Sequence, residues 1–142
     1  MSSRAVEALH DIHTATNDVL KGYREMSARA EPEIQATIDR LIGLHERHAA
    51  EQAAELTRCR EAHEDDTSLQ GTVNKVVVIL RDWVSDLDRD VLPAVRKGEQ
   101  SLHDEYTESM RDPQVSGHAA IGPLLQAQAD AIRLEIARLP QG

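Results

Sequence analysis

Leu9, Ile12, Val19, Tyr23, Met26 and Ala30 recur at steps of three and four, with Thr16 filling the gap. That spacing predicts an amphipathic helix ending near Ala30. Glu31-Pro32 breaks it, because proline suits the first turn of a helix and not its interior. A second helix then runs from Pro32 to about His63, with Ile34, Ile38, Leu41, Leu44, Leu56 and Cys59 facing inward. Glu64 to Ser68 reads as a loop. Gly71 to Trp83 holds Val76-Val77-Val78-Ile79-Leu80, apolar on every side. A lone strand would have no partner in a helical chain, so this stretch reads as a short helix buried on more than one side. After a break at Ser85 to Asp88, a third long helix starts near Arg89, with Leu92, Val95, Glu99, Leu102, Tyr106 and Met110 as its stripe. Asp112 to Gly117 is a turn, and a last helix carries Ile121, Leu124, Leu125, Gln128, Ile132, Ile136 and Leu139.

Short turns pair the first helix with the second and the third with the last. Between the pairs lies a connection of about 25 residues, Glu64 to Asp88. A helix of about 30 residues is about 45 Å long, and such a connection can run back along it. The expectation is an all-α fold: a ferritin-like four-helix bundle whose long crossover contains a short helix between helices 2 and 3. One domain over 1–142 accommodates it.

The polar residues on the apolar stripes change this picture most. Gly22 and Gly98 sit in helix interiors beside Tyr23 and Glu99, where glycine costs about 1 kcal/mol relative to alanine. A close-packed polar layer explains that cost. Glu99 and Tyr106, seven apart, share one stripe, and a carboxylate there must be hydrogen-bonded, paired or metal-bound. Tyr23, Gln52, Glu99, Tyr106 and Gln128 form the expected polar core, with Glu99 held by Gln128 or a tyrosine. Counting helix turns places Glu99 level with Leu20 and Gln128.

The histidines offer a second chemistry. His45 and His48 lie three apart on the second helix, His103 four after Glu99, and His10 and His13 three apart on the first helix, with His10 outside the core stripe. Such spacings place side chains on one helix face, as metal sites require. His13, His45, His48, Glu99 and His103 are therefore the candidate ligands for iron or zinc. The competing reading makes them boundary histidines, half solvated and hydrogen-bonded to the backbone. Cys59, the lone cysteine, sits on an apolar face and reads as core.

Composition narrows the classes. The chain is rich in Ala, Leu, Glu, Gln and Arg, Phe is absent, and Trp83 is the single tryptophan. A net charge of −9 opposes binding to nucleic acid or to an anionic membrane. Met1 to Ile12 is charged and has no apolar signal core, and no run approaches a membrane span. A cytoplasmic location is the expectation. No phosphate-binding glycine loop or serine elbow occurs.

Gly22-Tyr23-Arg24-Glu25, Ala53-Ala54-Glu55-Leu56, Gly98-Glu99 with Tyr106, and Gln128 together give the chain a likeness to a known group. It resembles a bacterial ferritin-like four-helix-bundle family known as a domain of unknown function, over nearly its whole length. The resemblance implies the fold and an ancestral metal site at mid-bundle. The pattern departs from diiron proteins in the last helix, which has no Glu-x-x-His and presents Gln128, Ile132 and Ile136 instead.

Two functions remain in view. One is a non-catalytic, structural or stress-associated interaction module with no cofactor, dimeric through Val76 to Leu80. The other is a metal-binding ferritin-like protein with a degenerate mid-bundle site for iron or zinc. An enzyme is the less favoured reading, because the diiron carboxylate set is incomplete.

Overall fold

Residues 4–63 and 89–140 are described by the structure, a computed structural model. They are helical apart from short turns, with no strand. Helix α1 spans Arg4–Ser27 and α2 spans Pro32–His63. A 3-10 turn over Arg89–Val91 leads into α3, Leu92–Met110, followed by the one-turn α4, Pro113–Ser116, and α5, Ile121–Arg138. The expected short helix at Gly71 to Trp83 and the apolar run Val76 to Leu80 lie outside the described residues.

The breaks follow local chemistry. Helix α1 stops at Ser27, three residues earlier than its apolar repeat suggests, because Arg29 N–H turns back to the Met26 carbonyl at 2.9 Å. The Glu31 carbonyl accepts from Ile34 and Gln35, so Pro32 occupies a first-turn position that needs no N–H donor. Asp112 to Gly117 is more ordered than a plain turn. The Asp112 carboxylate accepts from Gln114 N–H at 2.9 Å and caps α4, with Pro113 in its first turn. At α5 the cap is an imidazole: His118 Nδ1 accepts from Ala120 N–H at 3.2 Å and Ile121 N–H at 3.0 Å.

Apolar side chains from the four long helices fill one core, including Leu9, Ile12, Ile34, Ile38, Leu41, Leu102, Leu125 and Ile132. Helix α1 packs against α2, α3, α4 and α5. That enclosure buries His10, which its place on the helical wheel had put outside the stripe.

Helix directions are fixed by two polar contact sets. Tyr23 and His45 both reach Glu99, while Thr16 and Tyr106 both reach Gln52. Between the two sets α1 steps back seven residues, and α2 and α3 each step forward seven. Helices α2 and α3 are therefore parallel, and α1 is antiparallel to both. Gln128 meets Gln52 while Glu135 meets Arg40, so α5 is antiparallel to α2.

Candidate functional site

Seven residues are two turns of helix, about 10 Å of rise, and the buried polar residues sit at two levels separated by that distance. At the first, Glu99 of α3 is fully buried. Its Oε2 accepts from the Tyr23 hydroxyl of α1 at 2.5 Å and pairs with His45 Nε2 of α2 at 2.8 Å. Burial, followed by the Glu99 charge and its hydrogen bond, holds the Tyr23 phenol well above its ordinary pKa, so it remains a donor. With Oε2 serving as acceptor for both, His45 Nε2 is the donor of that pair.

Three buried atoms at and beside this level have no hydrogen-bond partner: Glu99 Oε1, His45 Nδ1 and His48 Nδ1. The His45 and His48 rings stand edge to face with centroids 6.0 Å apart. Tyr23 stacks on the His45 ring, also at 6.0 Å. Burial, and then repulsion from His45, lowers the His48 pKa to about 4, so its imidazole is neutral at physiological pH.

The second level draws one side chain from each long helix. Gln52 Nε2 of α2 donates towards Tyr106 Oη at 2.9 Å, Gln128 Oε1 at 2.9 Å and Thr16 Oγ1 at 3.2 Å. Tyr106 in turn donates to Gln128 Oε1 at 2.9 Å, and Thr16 to the Ile12 carbonyl at 2.8 Å. Gln128 Nε2 reaches Glu51 Oε1 at 2.9 Å and the His48 carbonyl at 3.3 Å. Gln52 Oε1 accepts from His13 Nδ1 at 3.1 Å, which leaves His13 Nε2 to accept from Asn17. Burial raises the Tyr106 phenol above its ordinary pKa.

The five residues expected as a polar core all occupy these two levels. Gln128 is displaced from its expected place: it lies with Tyr106 and Gln52, and Tyr23 and His45 hold Glu99. The five candidate metal ligands do not converge. His13 belongs to the Gln52 level, two turns from His45, and His103 is half-buried at the edge of α3. Among the described residues no group of three or more His, Cys, Asp or Glu side chains could hold a metal ion. Thr16 joins the network from the gap position of the α1 stripe, and Glu51 joins it without being among the expected residues. Thr16 had a signal, seven residues before Tyr23 on the same stripe; Glu51, on an exposed face, had none.

Cys59 is half-buried with Sγ 3.6 Å from Glu55 Oε2, and burial together with that carboxylate raises its thiol pKa. That is the opposite of what a nucleophilic thiolate needs. No helix among the described residues is long and apolar enough to cross a membrane.

Fold and site define an all-helical protein organised around a buried polar network. Residues 4–112 match the family described as a domain of unknown function (DUF2383), and the chain belongs to it. No curated protein and no solved structure matches the chain. The matched stretch covers α1 to α3, so Gln128 reaches the network from a helix beyond it.

Proposed function

We propose that this chain is a ferritin-like four-helix bundle that works as a non-catalytic structural or stress-associated interaction module. The parallel course of α2 and α3, between two antiparallel pairs, supports the ferritin-like crossover layout. The functional part rests on one observation. The Gln52 amide occupies the middle of the bundle, with its nitrogen in hydrogen-bonding distance of oxygens on the other three long helices. Diiron proteins place inward carboxylates and histidines on four helices. Here an uncharged amide, two hydroxyls and a second amide meet, engaged by one another and by His13, Glu51 and the Ile12 and His48 carbonyls.

The test is to add Fe(II) to purified, chelator-treated protein in air, following oxygen consumption and bound iron. The expected result is oxidation at the rate of buffer alone and no iron retained in pairs. Two irons per chain with accelerated oxygen uptake would sink this reading in favour of the metal-binding one. Dimerisation through Val76 to Leu80 belongs to the same proposal. Light scattering on wild type and on Val78→Lys tests it, with loss of a dimer in the variant as the expected outcome.

A further inference from the structure

Histidines that bind metals commonly donate their second ring N–H to a carboxylate, which fixes the tautomer and makes the ligating nitrogen more basic. His45 has that arrangement. Its Nε2 faces Glu99 Oε2 at 2.8 Å, and Glu99 is itself fixed by the Tyr23 hydroxyl. The opposite ring nitrogen, Nδ1, is buried and has no partner. Buried polar atoms in native proteins almost always have a partner in protein, water or an ion, so an orphan of this kind calls for an occupant.

His48 repeats the feature one turn along α2. Its Nδ1 is also buried and unpartnered, and its ring lies 6.0 Å from that of His45. Glu99 Oε1, on the carboxylate behind His45, is likewise buried and unpartnered.

We propose that His45 and His48, through their Nδ1 atoms, bind a single late first-row transition-metal ion of the zinc or copper type. Glu99 acts behind His45 as an orienting residue rather than a ligand. Imidazole nitrogen suits zinc and copper, and water completes the coordination, because the described residues supply two ligands and not three. The site differs from a carboxylate-bridged iron pair. It goes beyond the structural reading above and does not depend on it: Fe(II) oxidation tests that reading, and zinc affinity tests this one.

Zinc chloride is titrated into the chelator-treated full chain against a chromophoric chelator. A single ion per chain is expected. His48→Gln should weaken binding by at least about tenfold, and Glu99→Gln by roughly ten- to a hundredfold. Cys59→Ser, His103→Gln and His118→Gln should leave it unchanged. Pulsed electron paramagnetic resonance of the wild-type chain with one equivalent of Cu(II) should show two coupled imidazoles. This last measurement decides the matter if a core variant fails to fold. The proposal is overturned by an absence of zinc binding, by binding indifferent to His48→Gln, by loss of binding in the Cys59, His103 or His118 variants, or by fewer than two coupled imidazoles.

Discussion

Gln52 has two amide hydrogens, and three oxygens lie within hydrogen-bonding distance of its nitrogen. Gln52→Leu therefore leaves Thr16, Tyr106 and Gln128 competing for the donors that remain. Each buried polar group left unsatisfied costs about 1–3 kcal/mol. The variant should lose about 2–4 kcal/mol by urea unfolding, and a loss below 1 kcal/mol would show that water replaces the amide without penalty. Glu99→Gln is a milder change. The amide oxygen can accept from Tyr23 and His45 as Oε2 does, so folding should be near wild type and a collapse in stability would exclude this geometry. His48 makes stability depend on pH in the metal-free protein. The unfolded chain takes up a proton near the ordinary histidine value of about 6.5, whereas the folded chain does so only near 4. Between those values the unfolded state holds more protons, so stability falls as pH drops from 6.5 to 4. The loss should be about 2 kcal/mol, allowing for partial solvent screening. His48→Gln should flatten the stability profile across that window, and an unchanged slope would count against it.

At the scale of elements, α5 begins in an unusually tight place. A Cβ on Gly122 would lie 2.4 Å from the Ser116 carbonyl oxygen and 3.2 Å from that of Val115. Both are backbone atoms of α4, so neither can rotate away as a side chain would. Gly122→Ala must push α5 off α4, and with it the helix that carries Gln128. A loss of about 1–3 kcal/mol is expected, as for overpacked sites, read as a lower thermal midpoint. A midpoint equal to wild type would show that α4 yields freely. The His118 imidazole reinforces the same corner by accepting two amides that no side chain of α5 caps.

Over the whole molecule, the α1–α2 hairpin meets α3 and α5 through polar contacts of two kinds. Arg40–Glu135 at 2.9 Å and Arg4–Asp112 at 2.5 Å are exposed on at least one side. Exposed pairs of this kind contribute about 0–1 kcal/mol. Tyr23–Glu99 and Gln52–Tyr106 are buried and directional. A double-mutant cycle of Arg40→Ala with Glu135→Ala should give a coupling below about 1 kcal/mol, diminished by salt. A cycle of Tyr23→Phe with Glu99→Gln should give a larger coupling that salt does not change. Equal couplings in the two cycles would mean that the buried network does not dominate the joining of the hairpins.

Periodicity alone determined the four long helices and the stripes that face the core, because burying an apolar face requires a repeat near 3.6 residues. It also marked Tyr23, Gln52, Glu99, Tyr106 and Gln128 as polar residues on those stripes, since a polar side chain on an apolar face is visible without coordinates. Ends were less legible. Helix α1 stops at Ser27 and α4 forms at Pro113 because of individual hydrogen bonds that leave no periodic trace. Which polar residues meet was decided only by tertiary structure. Partnership depends on the axial offset between helices, and a shift of two turns along α5 carries Gln128 from the level of Glu99 to that of Gln52. The same offsets part His13 from His45 by two turns. Spacing within one helix sets which side chains share a face, and only packing between helices sets what that face touches.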